Sequence, residues 1–331
     1  MSQTRDGLGR RCEQAAGSWY NVDAHSNTGG IHMGTQWRGI FPIVVTPFTQ
    51  TYELDEDGLC RVVRFCIEAG ARGLVGPANA SEFSTLSDDE RKRWIEIVVG
   101  EAAGQTPVVA ATTGGHALPA VALSRHAQQI GAACVMSMPP HVMHPDAEGC
   151  YQYYKALSAA LDIPIMIQNY VGPVGTPMSP ELLGRMCREL PHVEYIKEET
   201  VPSPRMVSRT IAAAGEHCKG VFGGQAGQYL LDEYRRGSVG NMPACQTTDL
   251  LQAVWDLLEA GDEASARARF NRVLPLINYE RLYGVALYKE VLYRRGAISC
   301  RACRTPGKEL DDQDRAELDA ILADIEPLYR V

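Results

Sequence analysis

Residues 163–168 read Ile163-Pro164-Ile165-Met166-Ile167-Gln168, the segment from Ser179 to Leu190 has helical spacing, and residues 193–197 read Val193-Glu194-Tyr195-Ile196-Lys197. A short, nearly continuous apolar run is the pattern of a strand buried on both faces, and such strands belong to parallel sheets covered by helices. The segment between the two runs is long enough for one crossover helix, so the stretch is a β-α-β unit.

The same alternation extends in both directions. Upstream, strands are expected at Ile40–Thr46, Gly73–Gly76, Pro107–Thr112 and Ala133–Met138, with helices at Asp55–Ala69, Ser87–Ala103, Ala117–Ile130 and Ala147–Leu161. Ser87 followed three residues later by Glu90 is a capping box that marks the start of the second helix. Downstream come a helix at Pro204–Ala214, a strand at Gly220–Gly223, a helix at Gln225–Arg235 and a weak strand at Ser238–Met242. Eight strand–helix units with short loops predict a (β/α)8 TIM barrel of the α/β class. A doubly wound open sheet would want a glycine-rich phosphate loop after the first strand, and Thr46-Pro47-Phe48-Thr49 is no such loop. Beyond Gln252 the alternation stops, and Leu250–Glu259, Glu263–Val273, Leu276–Arg294 and Asp311–Tyr329 all read as helices. The expected organisation is a flexible N-terminal extension over residues 1–36, a barrel over 37–260 and a C-terminal helical extension over 261–331. That extension is expected to pack on the barrel or on a neighbouring subunit.

The chain has 331 residues, 45% hydrophobic and 22% charged, which is ordinary globular composition. No run approaches the ~20 apolar residues of a membrane-spanning helix, so no membrane is expected as a partner. A formal net charge of −8 argues against nucleic acid. Residues 1–36 lack the apolar core of a secretory signal, which makes a cytoplasmic location the expectation. The ten cysteines are scattered, most in apolar segments, and read as free thiols. Cys300 and Cys303 have C-x-x-C spacing but no two further ligands nearby, so no metal is expected.

In a barrel of this kind chemistry lies at the C-terminal ends of the strands. Among the strand-end residues Lys197 stands out. Strand side chains alternate, so Tyr195, Lys197 and Glu199 point the same way. If that direction is inward, desolvation disfavours the ammonium and leaves neutral amine to attack a carbonyl carbon. Glu199 would then be its acid/base partner over the same cavity. The alternative is a salt bridge between Lys197 and Glu198 or Glu199 at a solvated strand end.

The order and spacing of several fragments resemble the Schiff-base lyases typified by dihydrodipicolinate synthase and N-acetylneuraminate lyase. These are the opening from Gly39 to Phe48, Gly70-Ala71-Arg72-Gly73-Leu74 with Ser81-Glu82 and Leu86 to Arg91, Pro164 to Asn169, and Tyr195-Ile196-Lys197-Glu198-Glu199-Thr200. The resemblance spans roughly residues 37–329. It implies that Lys197 forms the imine, that the covalent lysine imine replaces any other cofactor, and that the protein assembles as a homotetramer, a dimer of dimers.

The departures point to one branch. Where the family's aldolases carry Gly-Thr-Thr-Gly-Glu, this chain has Ala78-Asn79-Ala80-Ser81-Glu82, and where they end strand five with a tyrosine proton shuttle it has Gln168. A glutamine amide does not titrate. The L-2-keto-3-deoxyarabonate dehydratases are similar at these places and at Leu274-Pro275-Leu276-Ile277-Asn278. That likeness implies dehydration of a 2-keto-3-deoxy sugar acid, with catalytic Lys197, Glu199 and Gln168. Asn79 and Ser81 would hold the substrate carboxylate, Ser81 through a hydroxyl beside turn N–H groups. Gln168 would bond a substrate hydroxyl or a water. Asn169 replaces an aspartate usual in that branch, and with His141 and Asn241 it is expected at the mouth that reads the far end of the substrate; Thr200 and Gly223 complete the expected binding set. Two other readings stay open: a pyruvate-dependent aldolase or synthase, and a non-catalytic binding barrel.

Overall fold

The computed structural model describes residues 37–172, 175–307 and 309–331. The extension expected at 1–36 lies outside the described residues.

Eight parallel strands form one sheet. In chain order they are β1 (Gly39–Ile40), β2 (Leu74–Gly76), β3 (Val108–Ala111), β4 (Cys134–Ser137), β5 (Ile165–Tyr170), β6 (Val193–Glu199), β7 (Gly220–Gly223) and β8 (Gly240–Asn241). Neighbours pair in sequence order from β2 to β8, and β8 pairs with β1. The chain just after β1 closes the ring: the Val44 amide donates to the Val75 carbonyl at 2.9 Å, and the Val75 amide to the Pro42 carbonyl at 3.0 Å. The fold is the expected TIM barrel.

Helices α1 (Glu56–Glu68), α2 (Asp88–Ala102), α3 (Ala117–Gln129), α4 (Ala147–Ser158), α5 (Pro180–Glu189), α6 (Ser203–Ala214), α7 (Leu230–Arg235) and α8 (Thr248–Glu259) cover the outside. Several begin where the sequence supplies a cap. Asp55, Asp146 and Ser179 each accept from an amide of the first turn, and Ser87 with Glu90 forms the expected capping box. The helices bury one apolar face against the strands, as Leu59, Val62 and Val63 of α1 do.

The barrel interior is a separate core. Phe41, Val75, Met136, Met166, Tyr195 and Phe222 belong to it, with Trp37 stacked on Tyr195 at a centroid distance of 4.8 Å. In β6 the pairing with β5 skips Glu194, a bulge below the Tyr195-Lys197-Glu199 alternation.

Three helices follow: α9 (Glu263–Tyr283), α10 (Val285–Arg294) and α11 (Asp312–Ile325). They share an apolar core with α8, α7 and Ile40. The expected break near Pro275 does not occur. α9 runs through Pro275 and ends at Gly284, whose φ of +54° favours glycine. An interior proline removes one N–H and strains the turn before it, and the surrounding packing (Val273, Leu276 and Ile277 fully buried) holds the helix through it.

α10 is also tied to the barrel by charge. The Lys289 ammonium lies 2.6 Å from a Glu82 carboxylate oxygen, both side chains fully buried, and donates to the Ala302 carbonyl. The Thr305 amide binds the other Glu82 oxygen. Removing one partner of such a pair strands the other charge. Lys289→Met is expected to lower unfolding free energy by about 3–5 kcal/mol, measured by urea titration; a loss under 1 kcal/mol would show that the pair does not hold α10 down.

Candidate active site

Three side chains from adjacent strands meet at the C-terminal mouth of the barrel. In the β5–β6 register Gln168 is opposite Lys197 and Tyr170 opposite Glu199. The Lys197 ammonium nitrogen is 3.2 Å from Glu199 Oε2, and Gln168 Nε2 donates to the same oxygen at 2.8 Å. The Gln225 amide donates to Glu199 Oε1 at 3.2 Å. Lys197 and Glu199 are only 4% and 6% exposed. The salt bridge expected for a solvated strand end thus exists, but in a buried setting.

Room for Glu199 is made by its neighbours. A Cβ on Gly224 would stand 2.3 Å from Glu199 Oε1, so only glycine leaves the carboxylate in place. Gln225 and Ala226 follow with φ of +53° and +59°. Left-handed backbone at non-glycine residues is strained and gathers at sites where the surroundings impose it. Gln225 also donates its side-chain amide to the Glu199 carbonyl at 2.8 Å. This is why the regular helix begins at Leu230 and not at Gln225 as the sequence pattern suggests.

Lys197 and Glu199 line a cavity of about 300 Å³ together with Asn79, Ala80, Tyr170, Gln225, Met242, Glu280, Arg281 and Tyr288. Asn79 and Ala80 open a 3₁₀ turn, Asn79–Ser81, so their N–H groups have no acceptor inside the turn. A wider cleft of about 930 Å³, lined by Tyr52, Arg301, Arg304 and Arg315 among others, adjoins it through Tyr170 and Gly284.

Several expected residues are placed elsewhere. Ser81 is fully buried, and its hydroxyl donates to the Val44 carbonyl at 2.6 Å while accepting from the Ala78 amide, which leaves it shaping the turn. Gln168 is committed to Glu199, not to a substrate hydroxyl. Asn169 and Thr200 point to the outer side of the sheet, where both donate to the buried Glu198. Asn169 also braces Met178 in both directions. An aspartate there would set a second carboxylate against Glu198; the amide supplies a donor. His141 packs edge-on against Phe83, 5.6 Å between centroids, away from the cavity. Gly223 and Asn241 serve Glu233: a Cβ on Gly223 would overlap the Glu233 carboxylate, and Asn241 Nδ2 donates to it at 2.9 Å.

Tyr170, Glu280, Arg281 and Tyr288 were not expected. Tyr170 was open to discovery, since it is two residues beyond Gln168 on one strand and so shares its face. The other three come from the ends of α9 and α10, and their position depends on a helix continuing through a proline.

A barrel with a buried lysine–carboxylate pair at its strand ends defines a class of enzyme scaffold. The chain belongs to the dihydrodipicolinate synthetase family, whose model matches residues 36–325. It is 36% identical over 296 residues to an L-2-keto-3-deoxyarabonate dehydratase of Azospirillum brasilense, covering 88% of this chain and 95% of that one. A 4-hydroxy-tetrahydrodipicolinate synthase of Methanothrix thermoacetophila is 28% identical over 298 residues, covering 88% and 98%. Among solved structures, dihydrodipicolinate synthase from Rhodopseudomonas palustris superposes with a TM-score of 0.80 at 26% identity, covering 87% of this chain and 97% of that one. The chloride-inhibited synthase from Acinetobacter baumannii complexed with pyruvate gives 0.81 at 25%, covering 88% and 99%. The named members among these relatives are lyases and synthases, and no helix among the described residues is long and apolar enough to cross a membrane.

Behind the site, burial pushes the Glu233 carboxyl up to about 7, against the pull of its bonds from Ser203 and Asn241. As pH rises from the ordinary carboxylate range to about 7, the unfolded chain sheds this proton first, so folded-state stability falls across that window. Glu233→Gln has nothing to ionise. Its urea midpoint relative to the parent is expected to rise by the equivalent of about 2–3 kcal/mol between pH 4.5 and pH 8. A difference constant with pH would mean that Glu233 ionises normally.

Proposed function

We propose that the protein is a Schiff-base lyase that dehydrates a 2-keto-3-deoxy sugar acid. The observation that carries this reading is the Lys197–Glu199 pair, 3.2 Å apart inside a cavity of small-molecule size. Glu199 can take the proton of Lys197. The free amine then adds to the C2 carbonyl, and Glu199 returns that proton to the carbinolamine oxygen, which leaves as water to give an iminium. The iminium acts as the electron sink, and no other cofactor is required by the scheme. It acidifies C3, from which Glu199 removes a proton, giving an enamine. The enamine pushes out the C4 hydroxyl as water once that oxygen is protonated. Hydrolysis of the conjugated imine consumes the water lost in its formation, frees Lys197 and releases the dehydrated keto acid. One water is lost overall.

The N–H groups of Asn79 and Ala80 are the groups available for the substrate carboxylate, with the Asn79 side chain beside them. Gln168 orients Glu199. The likeness to a dehydratase at 36% identity supports this choice of reaction, and the pyruvate bound by a structural relative supports a 2-keto acid as substrate. An aldolase reading draws on Tyr170 and Tyr288, two phenols lining the cavity that offer the hydroxyl missing at position 168.

The wider setting follows the family pattern: a homotetramer in the cytoplasm. The described cysteines are all free thiols, as a reducing compartment keeps them. Leu118, Val142 and Met143, on the loops and helix start after β3 and β4, are 74–82% exposed and are available for contact with a second copy.

Borohydride reduction with pyruvate or a keto-deoxy pentonate, followed by peptide mass measurement, is expected to put one adduct on Lys197. Absence of an adduct would eliminate dehydratase and aldolase together and leave a binding barrel. Glu199→Gln should still form the adduct while slowing turnover by about 10²–10⁴-fold. Pyruvate among the products would favour aldol cleavage.

A further inference from the structure

The cavity contains a second carboxyl that the scheme above does not use. Glu280 sits in the last turn of α9, lines the same cavity as Lys197 and Glu199, and is 2% exposed. One of its oxygens accepts from Gln246 Nε2. The other, Oε2, is buried with no hydrogen-bond partner among the described residues. An unpaired buried carboxylate oxygen costs several kcal/mol, whereas a carboxylic acid there carries a proton ready to donate. The surroundings agree, since burial pushes the Glu280 carboxyl up to about 8.

Glu199 is placed differently. Both of its oxygens already accept, from Lys197, Gln168 and the Gln225 amide. A site with one acceptor-only carboxylate and one protonated carboxyl has separate groups for taking and giving protons.

We propose that Glu280 is the acid that protonates the departing C4 oxygen, so that the helical extension supplies half of the proton chemistry. The inference rests on the dehydratase reading. As the enamine electron pair forms the new C3–C4 double bond, the C4–O bond breaks and its electron pair takes the Glu280 proton, releasing water. Glu199 then holds the C3 proton and Glu280 is a carboxylate. Glu199 loses its proton to solvent and Glu280 regains one during imine hydrolysis, and the site is reset. The groups around Glu280 are Gln246 and Cys245 on the 3₁₀ turn after β8, Tyr288 on α10, Arg281 beside it, and Lys197 and Glu199 across the cavity.

Glu280→Gln keeps the shape and an oxygen to accept from Gln246, but has no proton to transfer. Three readouts test it: borohydride trapping of pyruvate, exchange of pyruvate C3 protons in deuterated water, and dehydration of a keto-deoxy pentonate. Trapping and exchange require only Lys197 and a base. The variant is expected to trap and exchange within twofold of the parent while dehydration falls by about 10²–10⁴-fold. The parent's kcat should fall as pH rises through about 8, and that limb should be missing from the variant's residual activity. Dehydration at the parental rate, or equal losses in all three readouts, would overturn the inference. A parent that traps and exchanges but never dehydrates would instead overturn the dehydratase reading.

Discussion

Placing a lysine and a glutamate together in the interior of a barrel is the constraint to which the rest of the site answers. Each ion loses several kcal/mol of hydration on burial, and mutual attraction offsets this only when the remaining hydrogen-bond positions are filled. The neighbours of Glu199 fill them: Gln168 shares Oε2 with Lys197, and the Gln225 amide occupies Oε1, the oxygen that Lys197 leaves open. Gly224 gives up its side chain to make room, and Gln225 and Ala226 accept left-handed backbone. Strained loop, missing side chain and committed glutamine are three consequences of one buried carboxylate.

The helical extension is part of the same arrangement. α9 and α10 bring Glu280, Arg281 and Tyr288 to the cavity. The Lys289–Glu82 pair fixes α10 directly to the residue that ends the Asn79–Ser81 turn. A movement of α10 is therefore resisted by the loop that offers N–H groups to the substrate carboxylate, and the two ends of the cavity are mechanically one piece.

How far this was legible in the sequence depended on the range of the interaction involved. The barrel was legible because most of the strands are short apolar runs and because Asp55, Ser87, Asp146 and Ser179 announce helix starts from within a few residues. The inward line of Tyr195, Lys197 and Glu199 followed from alternation along one strand. Ser81 was misread because a hydroxyl at a turn looks the same in sequence whether it faces a ligand or the Val44 carbonyl 37 residues away. Asn169 and Thr200 each follow an inward residue by one position, so alternation already assigns them to the outer face, where Glu198 lies. Gly223 and Asn241 sit at strand ends as expected, but their partner Glu233 comes from α7, which no local pattern brings to them. Glu280 was hidden by Pro275, whose helix-breaking tendency is local while the packing that overrides it is not.

Dehydration and aldol cleavage share every step up to the iminium. Dehydration then removes the C3 proton while cleavage breaks C3–C4, and the two make opposite demands on the C4 oxygen. Cleavage of C3–C4 needs a base to take the proton from the C4 hydroxyl, whereas elimination needs an acid to give that oxygen a proton. The choice of reaction thus reduces to the protonation state of the group facing C4. Tyr170 and Tyr288 are the only phenols lining the cavity among the described residues, and burial with the nearby Glu199 raises both above the ordinary tyrosine range, which holds them protonated and makes them poor bases. Burial likewise keeps the proton on Glu280. With Gln168 unable to titrate, the cavity apart from Glu199 and Lys197 holds proton donors and, among the described residues, no second base. On the proposed reading, that excess of acid over base favours loss of water over cleavage of C3–C4.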